Sequence, residues 1–129
     1  MSVRVLLLAA TMFLLSACGT MEKIGGLSQA NPAEQKLSSG VKSYEEGDYK
    51  TSMAELQGAL DMGLNKKDDQ VTAYKYLAFI HCVSGREKQC RDSFKRAFEI
   101  NPSFDLNPAE AGHPVWGPVF RSVKAKSAK

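Results

Sequence analysis

The chain has 129 residues, 43% hydrophobic, 24% charged and 9% aromatic, with a formal net charge of +3. That length suits one domain, the apolar content argues against wholesale disorder, and the near-balanced charge gives no reason to expect nucleic acid. The first element is the apolar run Val5–Leu15 (VLLLAATMFLL), which follows a lone Arg4. It is too short to span a bilayer, which takes about 20 residues. A short apolar run behind a basic residue and closed by small residues is the layout of a secretory signal, assigned to residues 1–17.

The closing residues Leu15-Ser16-Ala17-Cys18 resemble the lipobox of bacterial lipoproteins. The resemblance implies lipid on Cys18 after cleavage, with that covalent lipid as the only attached group and no other cofactor. Several acyl chains hold a protein stably, because each buried CH₂ contributes roughly 0.8 kcal/mol. Gly19 stands where an aspartate would be the familiar inner-membrane retention signal, so the resemblance favours the outer membrane and a periplasmic location. Residues 18–30, with Gly25-Gly26 and no periodicity, read as a lipidated tether.

Residues 31–129 read as an all-α domain. Asn31-Pro32-Ala33-Glu34 places a cap, a first-turn proline and a glutamate three residues after the cap, which predicts a helix running to about Glu46 before Gly47. Asp48 can cap a second helix carrying Tyr49, Met53, Leu56, Ala59 and Leu60 at helical spacing and stopped by Gly63. Leu64–Asp69 reads as a polar loop. A third helix is expected over about Gln70–Ser84, and a fourth over about Glu87–Ile100, ending at Asn101-Pro102. Helices of this length joined by short turns form antiparallel hairpins.

The two hairpins align when Gly47 is set on Gly85, which pairs Gly40 with Ala78, Ser52 with Cys90, Leu56 with Phe94 and Ala59 with Ala97. Small residue, turn glycine, small residue, aromatic, alanine and the closing Pro102 resemble the tetratricopeptide repeat. The second unit, about 71–104, carries the match well. The first, about 33–66, departs from it: Leu56 stands at the aromatic place, there is no closing proline, and the loop is longer than the usual period. The resemblance implies a short α-solenoid of two such hairpins, capped by residues 105–129. Within that cap, Asn107-Pro108-Ala109-Glu110 repeats the helix-start signal, Gly112 ends a single turn, and a last helix is expected from about Pro118. Phe104, Leu106, Trp116, Val119 and Phe120 are expected to lie across the third and fourth helices, since an open solenoid end exposes apolar surface.

With Cys18 assigned to lipid, Cys82 and Cys90 remain as an even pair in an oxidising compartment. Antiparallel helices joined at Gly85 can bring them within disulfide reach, although strict repeat register turns Cys82 toward the groove; buried free thiols and a redox or metal role remain alternatives. His81, Cys82, Cys90 and His113 do not make a natural zinc set, because neighbouring helical residues point about 100° apart. The expectation is therefore no metal and no enzyme, for no nucleophile elbow, phosphate loop or HExxH helix occurs. His81 falls on a core position and His113 can cap the turn after it.

The repeat resemblance further implies a groove lined by the first helix of each unit. The matching residues are Leu37, Val41, Tyr44 and Glu45 in unit one and Lys75 and Phe79 in unit two, with Glu34, Thr72, Cys82 and Val83 at further groove places. Such a strip suits an amphipathic partner helix or covers a segment of the chain itself. The implied role is a non-catalytic, outer-membrane-anchored adaptor or assembly factor for an envelope machine, a secretion system such as type VI or a pilus. A structural envelope lipoprotein that self-associates or touches peptidoglycan through Arg121, Lys124, Lys126 and Lys129 is the alternative, and a periplasmic thiol protein a third class.

Overall fold

The computed structural model describes residues 30–129; the expected signal segment, the lipidation at Cys18 and almost all of the tether lie outside them. Six helices follow in chain order: α1 Pro32–Glu45, α2 Tyr49–Met62, α3 Lys67–Val83, α4 Glu87–Ile100, α5 Pro108–Ala111 and α6 Trp116–Ser127. No strand occurs among the described residues, so the fold is all-α. None of these helices is long and apolar enough to cross a membrane.

Local sequence accounts for most of the boundaries. Asn31 and Asn107 each form a complete capping box, accepting from the amide of Glu34 and Glu110, whose carboxylates accept from the cap amide in return. Asp48 caps α2 through the Thr51 amide. The turns after α1 and α3 are the same object built twice. Asp48 N donates to Ser43 O and Arg86 N to His81 O, while Gly47 N donates to Tyr44 O and Gly85 N to Cys82 O. Gly47 and Gly85 take φ of 80° and 75°, the left-handed region where a side chain is strained.

Two boundaries depart from the sequence reading. α3 begins at Lys67, three residues before the expected Gln70, and absorbs the acidic end of the supposed loop. Asp68 and Asp69 fall in its first turn, where carboxylates complement the positive end of the helix dipole. Leu64, read as part of a polar loop, is buried at 4% exposure, and the Gln70 side chain donates to its carbonyl. α6 starts at Trp116, with Pro118 inside its first turn, where no amide is required of it.

Within each hairpin the helices approach through matched small residues. Gly40, Ser52 and Ala59 are buried between α1 and α2, as Ala78, Cys90 and Ala97 are between α3 and α4. The buried Ser52 hydroxyl donates to Gly40 O at 2.7 Å, and a Cβ on Gly40 would lie 2.8 Å from the Leu56 side chain. The central helix, α3, is buried on two sides. Ala73, Leu77 and Ile80 meet Leu37, Leu56 and Ala59 of the first hairpin. Val71, Ala78, Phe79 and Cys82 join a second cluster with Phe94 and Phe98 of α4 and with Phe104, Leu106, Trp116, Val119, Phe120 and Val123. The expected cover over α3 and α4 is thus present. Against the hairpin that precedes it, α6 packs more on α4 than on α3, just as α3 packs more on α2 than on α1.

Cys82 and Cys90 are joined in a disulfide, with Cα atoms 5.1 Å apart, and both are buried. They occupy the places that Tyr44 and Ser52 hold in the first hairpin, so the bridge ties α3 to α4 beside the turn that already connects them.

Candidate functional site

The face where α1 and α3 lie side by side carries a chain of aromatic rings. Tyr44 of α1 sits at its centre, 5.5 Å from Tyr49, 4.9 Å from Tyr76 and 6.2 Å from Phe79 between ring centroids. The helical spacing of Tyr76 and Phe79 on α3 presents both rings to Tyr44. Burial, followed by the neighbouring Tyr49, Tyr76 and Glu110, pushes the Tyr44 phenol up to about 12. Phenol hydroxyls on partly exposed rings make this a surface that can both cover apolar groups and hydrogen-bond.

On the far side of α3 the strip is closed by the chain's own C-terminal segment. Trp116 stacks on Phe79 at 4.1 Å, and the His113 ring stacks on the other face of Trp116 at 3.4 Å. Trp116 Nε1 donates to Glu110 O, which fixes the indole to the end of α5. The Glu110 carboxylate accepts from Lys75 Nζ at 2.8 Å, with both side chains about one-fifth exposed. Lys75 Nζ also lies 4.8 Å from the Tyr76 ring centroid. The ion pair and the three-ring stack hold α5 and the start of α6 against α3.

The residues expected to line a groove therefore divide. Leu37 and Phe79 are core residues, at 7% and 2% exposure, and offer no surface. Val41 and Tyr44 are half-buried, Glu45 is exposed, and Lys75 is engaged by Glu110. Of the further groove places, Glu34 pairs with Lys66 at 3.1 Å, Thr72 donates to Asp68 O, Cys82 lies in the disulfide and Val83 is exposed. Sequence reasoning missed Tyr76, the ring closest to Tyr44, and the pairing of Glu110 with Lys75. The aromatic spacing of Tyr76 and Phe79 could have signalled the first; the second joins positions 35 residues apart and has no local signature.

The side chains weighed as metal ligands have other partners. Cys82 and Cys90 bond to each other, His81 Nδ1 accepts from Arg86 Nε at 3.0 Å, and His113 Nδ1 accepts from the Val115 amide, the turn cap expected of it. Burial, and then the Arg86 charge, holds His81 below the usual imidazole range. Among the described residues no three His, Cys, Asp or Glu side chains converge as a metal site. No protein-family model matches the chain, and no curated protein and no solved structure matches it either.

Proposed function

We propose that this chain is a non-catalytic adaptor of tetratricopeptide type, anchored by lipid on Cys18 to the periplasmic side of the outer membrane. Its aromatic strip grips a polypeptide of a larger envelope assembly. The repeat reading is supported by the duplicated turn, by small residues matched at both hairpin interfaces, and by α6 standing to the second hairpin as α3 stands to the first. In that arrangement α6 acts as the first helix of an incomplete third unit and covers the open end of the stack.

The observation that carries the binding role is the strip itself. Tyr44, Tyr49 and Tyr76 form a cluster that remains partly exposed after the chain has covered Phe79 with Trp116. Val41 and Glu45 extend it along α1. Partly exposed tyrosines, held on three packed helices, suit an apolar stretch of a partner whose backbone needs donors and acceptors. The class of assembly, a secretion apparatus of the type VI kind or a pilus, is an analogy with small repeat lipoproteins.

A photo-crosslinking residue placed at Val41 or Glu45 in the native host tests the role. The expected result is one defined subunit of an envelope machine, with the yield falling when Tyr44 and Tyr76 are both changed to alanine. Crosslinks only to a second copy of the chain or to peptidoglycan would replace the adaptor with the structural reading. Mass spectrometry of the membrane-extracted protein tests the anchor separately, and a Cys18 without acyl mass would remove it.

A further inference from the structure

The antiparallel hairpins gather five helix ends at one end of the stack. Asn31 and Pro32 lie beside Met62 and Gly63, and Gly63 and Leu64 lie beside Glu99 and Ile100. Lys66 before α3 pairs with Glu34 in the first turn of α1. Pro102 after α4 faces Lys126 and Ser127 at the end of α6. The chain before Asn31 therefore leaves the domain from the end at which α4 and α6 finish.

Between α4 and α6 at that end is a cleft of about 500 Å³, lined by Lys95, Phe98, Glu99, Pro102, Lys126 and Ser127. Its floor is apolar, made by Pro102, the edge of the buried Phe98 ring and the lysine stems. Its rim is cationic. Among the described residues neither Lys95 nor Lys126 forms an ion pair, whereas the one carboxylate on the wall, Glu99, is held by Arg96 at 3.1 Å. From Gly112 to Lys129 the chain holds Arg121, Lys124, Lys126 and Lys129 and no acid. The neighbouring lysine, Lys124, is bound to Asp105 at 2.6 Å, so the two unpaired charges concentrate at the cleft.

The geometry points to a binding site for the headgroup of an anionic phospholipid, its phosphate between Lys95 and Lys126 and its glycerol ester region against Phe98 and Pro102. The inference rests on the lipid-anchored reading for its choice of occupant. Twelve residues separate Cys18 from Asn31, a reach of at most about 45 Å, so an anchor would attach at this end and hold the domain within that distance of the bilayer. Several acyl chains already hold a protein at the bilayer, and basic residues on the domain itself would add a second contact that sets its orientation. Docked through this cleft, the domain would hold its stack upright, with the turns at Gly47 and Gly85 farthest from the lipid.

Among the described residues the buried side chains lie between Ala33 and Val123, so a chain spanning residues 19–129 keeps that core and has no acyl group. The test is cosedimentation of that chain with vesicles of phosphatidylcholine alone or mixed with phosphatidylglycerol. Binding should favour the mixed vesicles, and K95Q/K126Q should weaken it roughly 30-fold, since each lysine near an anionic surface contributes about five-fold. K42Q/K50Q, at the opposite end, should bind like the unmodified chain. Equal binding to both vesicles, equal loss in both double variants, or preference for purified peptidoglycan over vesicles would overturn the site. An unacylated Cys18 together with anionic-vesicle binding would sink the anchor and leave the cleft; an acylated Cys18 without that binding would do the reverse.

Discussion

Replacing Trp116 with alanine measures how firmly the C-terminal segment belongs to the fold. Trp116 is 7% exposed, stacks on Phe79 at 4.1 Å and donates to Glu110 O at 2.8 Å. An aromatic side chain of this kind removes about 200 Å² from water, worth roughly 5 kcal/mol as an upper figure. Truncations of buried aromatic rings cost about 3–5 kcal/mol, which places W116A near 4 kcal/mol. For the 100 described residues, with an unfolding entropy of about 0.2 kcal/mol/K, that is a fall in Tm of about 20 °C. W116F keeps a ring on Phe79 and loses only the indole hydrogen bond to the Glu110 carbonyl, which still accepts from the His113 amide, and should cost about 1–2 kcal/mol. Because Trp116 is the sole tryptophan, the assay is urea unfolding followed by far-ultraviolet circular dichroism rather than fluorescence. A loss below about 1 kcal/mol for W116A, with the transition still single, would refute the reasoning, because a core aromatic cannot be that cheap to remove.

Two further outcomes follow from the same geometry. C82A/C90A opens a loop of sequence separation 8, which the chain-entropy relation values at about 2.5 kcal/mol, so Tm should fall by about 12 °C and become insensitive to reductant; calorimetry with and without a phosphine checks it. Tyr44 should titrate near 12 in an ultraviolet pH titration. Its folded value lies above the unfolded one, so the folded state holds the phenol proton more tightly, and this contribution is complete below about pH 10 and lost as pH rises toward 12. Y44F should remove the step near 12, and a Tyr44 that ionises at the ordinary value of a free phenol would contradict its burial.

Much of the helical framework was legible because it is written in short-range chemistry. Asn31 and Asn107 announce their helices with the same cap, proline and glutamate, and all of those contacts fall within three or four residues. The match of Gly40 to Ala78 and of Ser52 to Cys90 was legible for a related reason: only small residues fit where two helices touch, so the positions stand out in sequence. The start of α3 was misread because Asp68 and Asp69 look like loop residues until a helix dipole is placed behind them.

The sequence by itself determined the all-α class, both hairpins, the turn glycines and the availability of Cys82 and Cys90 for each other, since each depends on residues close along the chain. The tertiary structure alone decided that α3 is buried on two sides, that Phe79 lies beneath Trp116, and that Lys75 is spent on Glu110. A helical pattern tells which residues share a face but not what arrives to cover that face. The covering segment reaches α3 only after the chain has turned back through α4, and its contacts are chosen by shape and burial, which no local spacing encodes.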